Sequence, residues 1–258
     1  MLAASVALGV AACGREVYLG SLGDGGNDGG GDGGNTGILW QATFEPGDLS
    51  EWLGDGKGGT YMDLPSQAPS VSSAVVHRGQ YSGVATFAPM GGMPYSYLYR
   101  DQPSPPEAYY GAWFYIPANL QIGSWLSLLH FGYRPAPGAA TSPVWDFNVH
   151  PGPDGPLVAR LYESAPVENT EQTNPIPVPM ATWVHFEILF KKAADATGHI
   201  TVWQDGVEIL DVANAITAPT DLVQWDCGGG GNNEVTPSPG MVYFDDATIS
   251  TTRVGIGQ

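Results

Sequence analysis

Basic residues are scarce in this chain of 258: 9 Lys and Arg stand against 26 Asp and Glu, a formal charge of −17. Binding to nucleic acid needs clustered cations on phosphates, so that class of partner is argued against. Cysteine is scarcer still, with only Cys13 and Cys227, too few for a disulfide framework. Long apolar runs are missing, and nothing approaches the roughly 20 residues that cross a bilayer as a helix. No segment sustains the helical period of about 3.6 residues. The serine-nucleophile elbow, phosphate-binding glycine loop, dinucleotide fingerprint and His-x-x-x-His pair are all absent.

Glycine (36), proline (22), tryptophan (8) and tyrosine (12) are plentiful, a composition that suits short strands and many turns. The first residues, "MLAASVALGVAAC", end an apolar stretch in small residues and a cysteine, as a secretory signal does. Val10-Ala11-Ala12-Cys13 has the pattern of a bacterial lipobox, with Cys13 as the acylated residue. Residues 1–12 are therefore expected to be a signal peptide, and residues 13–37 a lipidated cysteine with a Gly/Asp/Asn-rich linker. Ser21 to Gly37 holds nine glycines in seventeen residues, a flexible tether reaching roughly 20 to 25 Å. An acylated Cys13 leaves Cys227 unpaired, and the "GGGG" after it predicts a loop thiol. A lipid-anchored, extracytoplasmic monomer is the expected setting.

From residue 38 to 258, extended runs alternate with turn signals, which predicts an all-β antiparallel sandwich or jelly roll. The order is specific: "FEPGDLSEW", "HRGQYSGVATF", "YYGAWFYIP", "TWVHFEILF", "GHITVWQDGVEI", then "VYFDDATIS". This order resembles the concanavalin A-like lectin/glucanase jelly roll of the laminin-G-like and heparin-lyase-I-like kind. The resemblance implies neighbouring first and last strands, so that Glu45, Asp48, Asp245 and Asp246 could gather oxygens around a structural Ca²⁺. No organic cofactor is expected. It also implies a glycan site on the open face of a concave sheet.

Side-chain alternation nominates residues for that face. In "VWDFNVH", Trp145, Phe147 and Val149 point one way, and Asp146, Asn148 and His150 the other. In "LVARLYE", Arg160 and Tyr162 share a side, and in "WVHFEILF", His185 and Glu187 oppose the apolar set. His130 ends an apolar strand; Tyr97, Trp125 and Tyr133 offer rings for stacking, with Arg100 nearby. Between Tyr97 and Tyr162 the net charge is only −1, so a neutral or uronic-acid glycan fits better than a sulfated one. Polysaccharide binding without catalysis comes first. A lyase acting by β-elimination on a uronic-acid glycan comes second, with His130, His150 and Tyr162 as proton-transfer groups. The E-x-D-x-E pattern of related glucanases is absent, which places a glycosidase behind both.

Overall fold

The computed structural model of the protein describes residues 37–88, 93–101, 104–232 and 234–257. The signal-like segment, Cys13 and the linker through residue 36 lie outside them. The strands, in chain order, are β1 Ile38–Ala42, β2 Gly58–Met62, β3 Ser70–Ser72, β4 Ser82–Phe87, β5 Tyr95–Arg100, β6 Glu107–Tyr115, β7 Gln121–Ile122, β8 Leu126–Tyr133 and β9 Ser142–Pro151. They continue with β10 Leu157–Ser164, β11 Val167–Glu171, β12 Pro177–Val178, β13 Trp183–Lys191, β14 Gly198–Gln204, β15 Val207–Ala215, β16 Val223–Gly231, β17 Val235–Thr236 and β18 Gly240–Ser250. One short helix, α1 Ser50–Leu53, joins β1 to β2.

The strands form two antiparallel sheets of a jelly-roll sandwich. The first has the order β15-β14-β13-β6-β18-β4-β3, with β1 beside β18. The second has the order β11-β10-β9-β8-β16-β5-β2, with β12 beside β10. Strands β7 and β17 pair as a separate ribbon. Aromatic side chains from both sheets fill the space between them. Phe131 of β8 stacks on Phe190 of β13 at 4.0 Å, and Phe147 of β9 meets Phe186 edge-on at 4.7 Å. Each such side chain contributes about 1.5–3 kcal/mol by leaving water.

Local chemistry explains the turns. Asp205 and Gly206 take positive φ, 49° and 82°, as a tight hairpin turn requires, and they link β14 to β15. Asp205 also clasps the neighbouring strand: its N–H donates to His185 O at 2.9 Å, and its Oδ1 accepts from His185 N at 2.9 Å. The first and last strands do pair, with Ala42 opposite Ala247.

Cys227 differs from the expected loop thiol. It lies on β16, fully buried in the core, where burial pushes its pKa well up. The glycines after it are strand too. A Cβ on Gly230 would stand 2.6 Å from the Tyr95 ring and 2.7 Å from the Tyr97 hydroxyl. Glycine there marks a close approach by side chains from the next strand.

Candidate active site

Strand register settles which side chains share the outer face of the second sheet. Asp146 lies opposite Tyr162 and Asn148 opposite Arg160 across β9 and β10, while His150 faces Val158. On the other side of β9, Asp146 faces His130 and Asn148 faces Ser127. His130 in turn faces Asp226 of β16. The five residues His130, Asn148, His150, Arg160 and Tyr162 therefore stand on one face of three adjacent strands.

The contacts form two linked groups. His130 Nδ1 lies 2.6 Å from Asp226 Oδ2, and Gln224 Nε2 donates to Asp226 Oδ1 at 2.5 Å. Gln224 is itself held, its Oε1 accepting from Arg134 Nη2 at 2.8 Å and Thr141 Oγ1 at 3.0 Å. Since a carboxylate only accepts, Nδ1 carries the hydrogen and the neutral ring keeps its lone pair on Nε2. Burial would lower the His130 pKa, but the hydrogen bond and charge of Asp226, with the charge of Asp146, raise it above 6.5. Asp146 accepts a hydrogen bond from Ser127 Oγ; burial pushes its carboxyl up, against the pull of His130 and Ser127.

The second group lies toward β11. Arg160 Nε donates to Asn148 Oδ1 at 2.8 Å, and Arg160 Nη1 lies 3.4 Å from Glu171 Oε1. His150 Nε2 lies 2.9 Å from the other Glu171 oxygen. The result is a guanidinium fixed along one edge by an amide, with a histidine–aspartate pair two strands away.

Several residues nominated from the sequence belong elsewhere. His185 and Glu187 are on β13, in the first sheet, on the far side of the sandwich. There His185 packs against Trp113 at 5.1 Å, and burial drives its pKa down. Glu187 is buried and accepts from Val254 N at 2.6 Å, Arg253 Nε at 3.0 Å and Gly255 N at 3.3 Å. Arg100, 7% exposed, is a clamp for α1. It donates to Trp52 O at 3.0 Å and to both oxygens of Asp55, and lies 4.8 Å from the centroid of the Trp40 ring. Tyr133 packs against the core. Tyr97 is on the expected face, but its ring is covered, so it cannot stack on a sugar.

The acidic set of the chain ends also has other partners. Glu45 accepts from Gln80 N at 2.9 Å and Tyr81 N at 3.1 Å, and Asp48 from Ser50 N at 2.8 Å. Asp245 accepts from His77 N at 3.1 Å, while Asp246 Oδ2 lies 2.7 Å from His77 Nδ1. Burial, with Asp246 next to it, pushes the Asp245 pKa up to about 7. Among the described residues, no group of three or more His, Cys, Asp or Glu side chains is placed to hold a metal ion. In the structure the hydrogen bonds of these four carboxylates go to backbone N–H groups and an imidazole.

The sequence model of a family described as polysaccharide lyase matches residues 44–247, nearly the whole sandwich. The chain belongs to the polysaccharide lyase family. Solved structures share the fold. An endo-β-1,4-glucuronan lyase from the fungus Trichoderma reesei is 20% identical, with a TM-score of 0.59 over 83% of this chain and 96% of that one. A marine PL-14 alginate lyase from Aplysia kurodai is 15% identical, with a TM-score of 0.56 over 83% and 99%. Domain 4 of an extracellular arabinanase from Geobacillus stearothermophilus, solved with arabinotriose, is 17% identical, with a TM-score of 0.51 over 83% and 92%. No curated protein matches the chain at a significant level. In this member of the family, sequence reading missed Asp226, Gln224, Ser127 and Glu171. Asp226 and Gln224 alternate on "VQWDC", but the glycines that follow disguise that segment as a loop.

Proposed function

We propose that the protein cleaves a uronic-acid-containing polysaccharide by β-elimination, with His130 as the base. The observation that carries this reading is the Asp226–His130 contact at 2.6 Å, which fixes the ring and leaves Nε2 to act from the same face that holds Arg160 and Tyr162. Nε2 takes the proton from the carbon bearing the uronate carboxylate. That electron pair becomes the new carbon–carbon double bond, the glycosidic C–O bond breaks, and the Tyr162 hydroxyl supplies a proton to the departing oxygen. The guanidinium of Arg160, positioned by Asn148, offsets charge developing on the carboxylate. His150 holds Glu171 beside that guanidinium and takes no proton from substrate.

The test uses purified protein and a panel of uronans that includes β-1,4-glucuronan and alginate. Ultraviolet absorbance of an unsaturated uronate is expected to grow, and His130→Ala to slow it by roughly 10²–10⁴-fold. New reducing ends without that absorbance would mean hydrolysis. Retention of polysaccharide with neither signal would return the face to binding alone; the arabinanase domain of the same fold was solved with arabinotriose. The lipobox-like "VAAC" supports the further proposal that the enzyme works tethered to a membrane surface through Cys13.

A further inference from the structure

The outer face of the second sheet continues past His130 on the side away from Arg160. There β2 presents Tyr61 in register opposite Tyr97 of β5, with Tyr95 two residues earlier on the same face. The rings succeed one another toward the base. Tyr61 to Tyr95 is 5.8 Å at 34°, Tyr95 to Tyr97 is 5.9 Å at 30°, and Tyr97 to His130 is 6.3 Å at 32°. The inner ring is covered, but Tyr61 is 40% exposed and Tyr95 half-buried. Met93, 55% exposed, lies beside them, its sulfur 3.7 Å from the Tyr95 hydroxyl.

The arrangement has a structural cost. The Tyr95 and Tyr97 side chains lie over β16 at Gly230, where a Cβ would meet both, and glycine inside a strand weakens it relative to alanine. Cross-strand packing of aromatics accounts for the covered Tyr97. It does not account for rings and a thioether presented to water at the sheet margin, because edge strands are usually blunted by charge and Gly58–Met62 carries none.

We propose that Tyr61 and Tyr95 form a stacking subsite for a pyranose ring of the polymer, an inference that rests on the lyase reading of this face. A pyranose pairs an apolar C–H surface with peripheral hydroxyls, and tyrosine matches it with a ring face and a polar tip. With this subsite on one flank of His130 and Arg160 and Tyr162 on the other, the substrate extends both ways from the base.

Tyr61→Ala is expected to raise the KM for β-1,4-glucuronan roughly three- to tenfold, with a smaller effect on kcat, and Tyr61→Trp to restore it. An unaltered KM in Tyr61→Ala, with the melting temperature of the wild type, overturns the subsite. Should wild-type protein form no unsaturated product, the same variants are run in native gels containing glucuronan, alginate or arabinan. Retardation of wild type that Tyr61→Ala loses keeps the subsite while the lyase reading fails. Equal retardation of both, or of neither, overturns it.

Discussion

His130 is subject to opposing influences, and their balance sets a pH dependence. Burial favours the neutral ring, while Asp226 and Asp146 favour the charged one, and the outcome lies above the ordinary 6.5. A base must be unprotonated, so kcat/KM is expected to rise with pH through an acid limb above 6.5. In Asp226→Asn the charge that raised the pKa is gone and burial remains. The limb is then expected to move down, and kcat/KM to fall by roughly 10²-fold or more because the ring's tautomer is no longer fixed. A pH–rate profile with its limb unmoved in that variant would show that Asp226 does not govern the base. Alternation in "VWDFNVH" and "LVARLYE" was enough to nominate Asp146, Asn148, His150, Arg160 and Tyr162 together. The partner that tunes His130 was not legible, since Asp226 is 96 residues away and precedes a run of glycines.

At the scale of elements, alternation says which side of its own strand a residue takes but not which sheet the strand joins. That is why His185 and Glu187 were grouped with His130: β13 obeys the same rule as β9 but belongs to the opposite sheet. Glu187 fastens the segment after β18, accepting from three groups of residues 253–255, while Arg253 also lies 4.3 Å from the centroid of the Trp203 ring. Glu187→Ala leaves those donors without a buried acceptor, at about 1–3 kcal/mol, so thermal melting is expected roughly 3–10 °C lower. Its kcat/KM on uronan is expected to match the wild type. A large loss of activity with an unchanged melt would return Glu187 to the substrate site. The same limit applies to the chain ends, where the family resemblance implied that β1 and β18 meet but not that Glu45 and Asp245 would accept from the backbone of residues 77–81.

For the whole molecule, a charge of −17 opposes a polyanionic substrate at long range, whereas the contacts of Arg160 act at short range. Salt screens the former more than the latter, with a Debye length of about 10 Å at 0.1 M. Raising NaCl from about 10 to 150 mM is therefore expected to lower KM on uronan, and a KM that climbs instead would mean attraction dominates the approach. The tether reading adds a second expectation: Cys13→Ala should shift the protein from the membrane to the soluble fraction, and continued membrane association would refute the anchor. Strand β16, residues 223–231, lies between β5 and β8, so the middle of the site's sheet is supplied by the last fifth of the chain. The five strands that carry the site cannot be assembled from any N-terminal fragment. On the lyase reading, turnover thus reports on the integrity of the whole sandwich: heat or protease that frees β16 separates His130 from its aspartate, and inactivation and unfolding of the sandwich should follow a single curve.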